Sequence, residues 1–172
     1  LTTEIFKNIF RFILLVFLQV LIIQNINLSS YIILLPYVLV ILMLPFETPR
    51  LFVLFISFLL GVCIDYFYDS SGIHSAACTF IGFFRHYVLK YFSPRDGYEV
   101  GLKPMIRDMG INWFLNYTAI LIFSHHFLLF YLEVFRFSEF FSTLLRIILS
   151  SMGTFGLVYL INLLIYNNQK KG

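Results

Sequence analysis

Four histidines, two cysteines and three ionisable residues set among apolar neighbours are the groups of this sequence that could carry chemistry. They are His74, His86, His125 and His126, Cys63 and Cys78, and Asp65, Arg85 and Arg146. Histidine and cysteine would serve metal or haem ligation, and the carboxylate with histidine would serve proton transfer. The adjacent pair His125-His126 projects about 100° apart on a helix, so the two rings do not converge on one ligand. Hydrogen-bonded histidines inside a helix bundle are the simpler reading, and no metal or cofactor is expected. The chain has no Gly-x-Ser-x-Gly, no His-Glu-x-x-His, no phosphate-binding glycine loop and no Cys-x-x-Cys. Without such a constellation the sequence points away from an enzyme. Cys63 and Cys78 fall in apolar stretches, where a thiol behaves as a small hydrophobe.

The surroundings that must position these groups are a membrane. Of 172 residues 60% are hydrophobic and only 12% charged, against about a quarter charged in an ordinary soluble domain. A water-facing surface cannot be built from that supply. The 22 Phe and 11 Tyr against a single Trp suit lipid-facing rings and interfacial hydroxyls. The net charge of +3 is small and not gathered in one patch, so nucleic-acid binding is not indicated.

Between Arg11 and Glu47 lie 35 uncharged residues, about 52 Å as one helix against a hydrocarbon core of about 30 Å. The polar run Gln24-Asn25-Ile26-Asn27-Leu28-Ser29-Ser30 breaks it in two. Spans are expected at 5–23 and 31–46, the second holding Pro36 and closing on Pro45 and Pro49. Further spans follow at 51–68, 73–92, 111–132 and 140–166. The Asp69-Ser70-Ser71-Gly72 turn joins the third to the fourth, and a polar loop from Ser93 to Gly110 follows the fourth. The expected architecture is an all-α integral membrane protein with six transmembrane helices in one membrane domain, 1–172, without an internal repeat. The chain opens Leu1-Thr2-Thr3, and its first apolar stretch lacks a small-residue cleavage site, so it reads as a retained span.

Lys7, Arg11, Arg50, Lys90, Arg95, Lys103, Arg107, Lys170 and Lys171 fall on one side of this arrangement, and only Arg136 on the other. Cytoplasmic segments retain Lys and Arg, so both termini are expected in the cytoplasm and the outer loops are minimal.

Ionisable groups at mid-span cost roughly 2.5 to 3.5 kcal/mol each on insertion scales. Arg85 lies near the cytoplasmic end of its helix, within snorkelling reach of the interface. Asp65 and Arg146 fall at similar outer-leaflet depth and can pair. With His125 and His126 near that level they define an expected polar cluster, either a packing ion pair or a functional site. Small residues four apart mark close helix packing: Ser57 with Gly61, Ser75 with Thr79, Cys78 with Gly82. A second patch, Ser150, Ser151, Gly153, Thr154 and Gly156, is suited to receive a helix from this chain or from a partner.

The third and fourth spans carry a recognisable pattern. Phe58-Leu59-Leu60-Gly61-Val62-Cys63-Ile64-Asp65, a short turn, then Gly72-Ile73-His74-Ser75, resembles the rod shape-determining protein MreD family. That family shows Phe-x-x-Gly-x-x-x-Asp at the outer end of a middle helix and a Gly-Leu/Ile-His turn opening the next. Ser93-Pro94-Arg95-Asp96-Gly97-Tyr98-Glu99 and His125-His126 also look like one branch of it. The resemblance implies a non-catalytic protein of the bacterial inner membrane in the cell-elongation machinery. Its main partner would be MreC, and through it MreB filaments would be linked to RodA and the elongation penicillin-binding protein. On this reading Gly61, Asp65, Gly72 and His74 shape the outer hairpin where the partner docks.

The same family is similar in fold to the substrate-binding S-components of energy-coupling vitamin transporters, which supplies an alternative function. Those proteins dock through small residues on the first helix, whereas residues 5–23 here contain no Ala, Gly or Ser. A ligand pocket would need convergent polar groups, which Asp65, Arg146 and the histidines can supply.

Overall fold

The computed structural model describes residues 2–26, 31–135 and 139–169. Part of the expected turn, Asn27-Leu28-Ser29-Ser30, the outer Arg136, and Lys170 and Lys171 of the tail lie outside the described residues.

Every regular element among the described residues is a helix. Helix α1 spans Thr2–Phe17 and continues through a widened turn, Leu18–Ile22, into a tight turn, Ile23–Asn25. A tight turn at Pro36–Val38 leads into the four-residue α2, Leu39–Leu42. Then follow α3, Arg50–Tyr68, α4, Ile73–Tyr91, the short α5, Ile106–Met109, α6, Ile111–Val134, and α7, Phe140–Gln169. Among the described residues four stretches are long and apolar enough to cross a membrane: Asn8–Asn25, Arg50–Tyr68, Ile111–Val134 and Phe140–Tyr166. Helix α4 has the length, 19 residues, but carries His74, Arg85, His86 and Lys90.

Helix α3 packs most extensively on α4, α4 on α6, and α6 on α7. The α3–α4 contact is close because glycine faces serine across it. A Cβ on Gly61 would lie 2.6 Å from the Ser75 nitrogen and 2.7 Å from the His74 carbonyl oxygen, and one on Gly82 would lie 2.9 Å from Ser57 Cβ. Ser57, Gly61, Ser75 and Gly82 of the small-residue pattern therefore meet at this interface, whereas Cys78 reaches His125 on α6. Gly153 is likewise occupied, a Cβ there lying 2.7 Å from Leu34 Cδ2. Gly156 differs: among the described residues nothing lies within 4 Å of a Cβ placed there, so it is not a close-contact glycine like Gly61 and Gly82.

The expected second span, 31–46, is not one helix. Residues 31–35 are not helical, and helix begins only at Pro36 and ends at Leu42. Proline 36 has no N–H to continue a preceding helix and favours extended geometry before it. The segment is nonetheless the centre of the molecule: Leu35 and every residue from Tyr37 to Leu44 are at most 3% exposed.

Its backbone groups must then be satisfied by other elements, since unpaired N–H and C=O groups away from water cost several kcal/mol each. Ile33 N–H donates to Ser150 Oγ at 3.0 Å and Leu35 N–H to Thr154 Oγ1 at 3.0 Å. Ser150 donates to the Tyr31 carbonyl at 3.2 Å and Gln19 Nε2 to the Leu34 carbonyl at 3.2 Å. At the other end three successive carbonyls are taken up: Leu42 by Tyr117 Oη at 2.9 Å, Met43 by Arg11 at 3.2 Å, and Leu44 by Arg85. The serine and threonine patch on α7 thus receives a broken segment of the same chain.

The loop after α4 folds back under the helix ends. Tyr98 stacks on Phe46 with centroids 4.0 Å apart, Trp113 meets both rings, and Tyr98 Oη donates to the Leu89 carbonyl at 2.9 Å. Burial pushes the Tyr98 phenol up to about 12. Asn162 Oδ1 accepts from Ile106 N–H at 3.1 Å and ties α5 to α7.

Candidate functional site

The α3–α4 hairpin is built around Asp65. Helix α3 ends where Asp69 enters the left-handed region, φ 52°, and Gly72, φ 87°, turns the chain into α4. Glycine suits that second position because it has no Cβ to clash. Asp65 Oδ1 accepts from Ser70 Oγ at 2.6 Å and His74 N–H at 2.9 Å, and Oδ2 from Ser75 N–H at 2.8 Å and Ser75 Oγ at 2.7 Å. The carboxylate of one helix therefore caps the next, satisfying two of its four open N–H groups and facing the positive end of its dipole.

Next to this cap the rings converge. Tyr37 Oη lies 2.8 Å from His74 Nδ1 and 3.2 Å from His125 Nε2. Cys78 Sγ is 3.8 Å from the same His125 nitrogen. Tyr68 tilts against His74 with centroids 5.1 Å apart and accepts from Gln19 Nε2 at 2.6 Å. His125 Nδ1 has no hydrogen-bond partner among the described residues. A buried bare acceptor is cheaper to leave unpaired than a donor, which places the proton on Nε2. The chain of donation is then His125 to Tyr37 to His74.

His126 makes a separate chain. Its Nδ1 lies 2.9 Å from the Ile122 carbonyl and must carry the proton, so Nε2 accepts from Thr154 Oγ1 at 3.2 Å. The Thr154 oxygen in turn accepts the Leu35 amide. His125 and His126, adjacent in sequence with ring centroids 5.5 Å apart, thus hold the residues on either side of Pro36, Tyr37 directly and Leu35 through Thr154.

Two sequence expectations are corrected. Asp65 does not pair with Arg146: its oxygens are saturated by four donors from the hairpin itself. Arg146 reaches Glu133 instead, Nη1 to Oε2 at 3.3 Å, with its guanidinium 4.5 Å over the Phe130 ring. Arg146 therefore leaves the polar cluster, while Asp65 and His125 remain joined through His74 and Tyr37. Arg85 does not snorkel: it is 3% exposed and turns inward, its Nε donating to Tyr117 Oη at 2.9 Å. A guanidinium with several N–H groups in a plane suits this double duty of holding a tyrosine and a carbonyl.

Gly61, Gly72 and His74 lie together at the α3–α4 turn. Tyr37, Tyr68, Gln19 and Tyr117 are the members that sequence reasoning missed. Gln19 is a lone amide within an apolar span and Tyr37 follows the breaking proline, and those were the signals available. Among the described residues no three His, Cys, Asp or Glu side chains converge to hold a metal ion.

The class defined by these features is a helical protein with at least four membrane-length apolar helices wrapped around a broken, side-chain-satisfied segment. Compared with protein families, curated proteins and solved structures, the chain matches none.

Proposed function

We propose that this chain is a non-catalytic membrane adaptor of the bacterial cell-elongation machinery, of the MreD type, binding MreC and through it linking MreB filaments to RodA and the elongation penicillin-binding protein. The observation that supports the reading is the union of the four residues on which the resemblance rests. Gly61 lets α4 approach, Asp65 caps that helix, Gly72 makes the turn, and His74 joins the turn to the core through Tyr37. Spaced over fourteen positions, they act as one rigid hairpin end suited to present a fixed surface to a partner helix.

The same reading takes the chain across the inner membrane six times with both termini in the cytoplasm. Helix α4 would be one additional span and the broken segment the other. About five extended residues followed by about eight helical ones reach ~28 Å, close to the hydrocarbon thickness. Irregular backbone at membrane depth is tolerated where protein surrounds it, which is the situation of Leu35 to Leu44.

A second reading, a substrate-binding subunit of a vitamin transporter, draws on the inward polar groups Gln19, Tyr37, His74 and His125. Each of these is engaged within the protein, and the first helix turns bulky side chains such as Phe6, Phe10 and Phe17 outward.

The deciding experiment is co-purification of the tagged protein from its own membranes, with mass spectrometry of retained proteins and small molecules. Recovery of MreC, lost in an Asp65→Ala variant that still extracts as a monodisperse species, is the expected result. Recovery of a transport ATPase or a bound vitamin without MreC would overturn the adaptor reading.

A further inference from the structure

The end of the α3–α4 hairpin opposite Asp65 gathers basic residues, Arg50, Arg85, His86 and Lys90. The helices run antiparallel, and a Cβ on Gly82 would meet Ser57 and the Val53 carbonyl. One turn further along from that contact, Arg50 at the start of α3 and His86 on α4 are the next positions of the two helices. Arg50, Lys90 and Arg85 all lie within electrostatic range of the His86 ring. His86 and Lys90, four apart, share a face of α4. Arg85 is already committed to Leu44 and Tyr117. Arg50 and Lys90, both exposed, make no ion pair among the described residues.

The neighbourhood of this cluster is apolar and faces outward. Leu51 is 80% and Tyr91 82% exposed, and Phe55 on α3 and Phe83 and Tyr87 on α4 are exposed as well. Tyr87 contacts Phe83 and His86 with ring centroids 5.2 and 5.6 Å away. Cations at the head of an aromatic-lined apolar face match one chemistry, a phosphate carrying hydrocarbon chains. Basic residues near an anionic membrane surface attract its phosphates, and tyrosine hydroxyls favour headgroup depth.

We propose that Arg50, His86 and Lys90 form a site for the headgroup phosphate of an anionic phospholipid, whose acyl chains lie along the exposed face of α3 and α4. The site depends on the chain residing in a membrane and is independent of which protein partner it serves.

The test is native mass spectrometry of the full chain released from mixed phosphatidylglycerol and phosphatidylcholine micelles. The expected result is retention of phosphatidylglycerol over phosphatidylcholine by at least about five-fold. The Arg50→Gln/Lys90→Gln variant should abolish that preference, Arg50→Lys/Lys90→Arg should keep it, and Arg95→Gln in the following loop should leave it unchanged. Arg50 and Lys90 are exposed, so the variants are expected to melt with the wild type, which a thermal scan in detergent verifies. Equal retention of the two lipids, an unchanged preference in the double Gln variant, or displacement of the lipid by millimolar inorganic phosphate would each overturn the proposal.

Discussion

The hydroxyl of Thr154 sits 3.0 Å from the backbone nitrogen of Leu35, a hydrogen bond across 119 positions. It closes an open N–H at the point where proline 36 prevents the chain from closing it locally. Because the same hydroxyl also lies 3.2 Å from His126 Nε2, one side chain joins the broken segment, α6 and α7.

Thr154→Val keeps the shape of the side chain and removes both bonds. The buried Leu35 N–H then loses its acceptor, a loss of about 1 to 3 kcal/mol. Thermal or denaturant unfolding in detergent should show it, and Thr154→Ser should stay within about 1 kcal/mol of wild type. Equal stability of the Val and Ser variants would refute the bridging role.

Asp65→Ala should uncap α4. Amides of His74 and Ser75 are expected to exchange with deuterium at least ten-fold faster, corresponding to a loss of about 1.4 kcal/mol or more. Ser70→Ala removes one of the four donors and should have a smaller effect on the same amides.

The two glycines of the α3–α4 contact should respond differently to relief. Gly82→Ala collides with the Ser57 side chain, so Ser57→Gly should restore most of the roughly 1 to 3 kcal/mol lost to overpacking. Gly61→Ala collides with the Ser75 backbone and the His74 carbonyl, and Ser75→Gly should not rescue it. Unfolding of the two double variants in detergent makes the comparison.

Arg146 and Glu133 form a partly exposed pair, 22% and 42% by side chain. A double-mutant cycle with Arg146→Gln and Glu133→Gln should give a coupling of no more than about 1 kcal/mol. The same cycle between Arg146 and Asp65 should give none, which separates the observed pairing from the one that depth alone suggests.

The difference between those two pairings shows what linear reading can and cannot reach. Counting residues from the end of a span gives depth, and Asp65 and Arg146 do belong to neighbouring levels of the sequence map. Depth says nothing about which way round its helix a side chain points. The four donors around Asp65 all come from within ten positions, and the Gly-Ile-His-Ser turn carried that information locally. The hairpin was therefore legible, and the partner of Arg146 was not.

Arg85 makes the same point for the interior. Its position suggested escape to the interface, but the carbonyl of Leu44 and the hydroxyl of Tyr117 are 41 and 32 positions away. No local pattern announces an acceptor so remote.

By itself the sequence determined the long apolar elements. Sparse charge and long apolar runs leave helices as the way to satisfy the backbone, and prolines, glycines and Asx turns set their ends. The small residues of α3 and α4 likewise announced a close contact. Tertiary structure alone decided the fate of residues 31–46. Proline forbade a continuous helix there, and whether that stretch would lie exposed or buried depended on donors and acceptors supplied by Gln19, Arg85, Tyr117, Ser150 and Thr154. Those groups meet only when the whole bundle closes, because hydrogen bonds of this kind are set by proximity in space and leave no period in the chain.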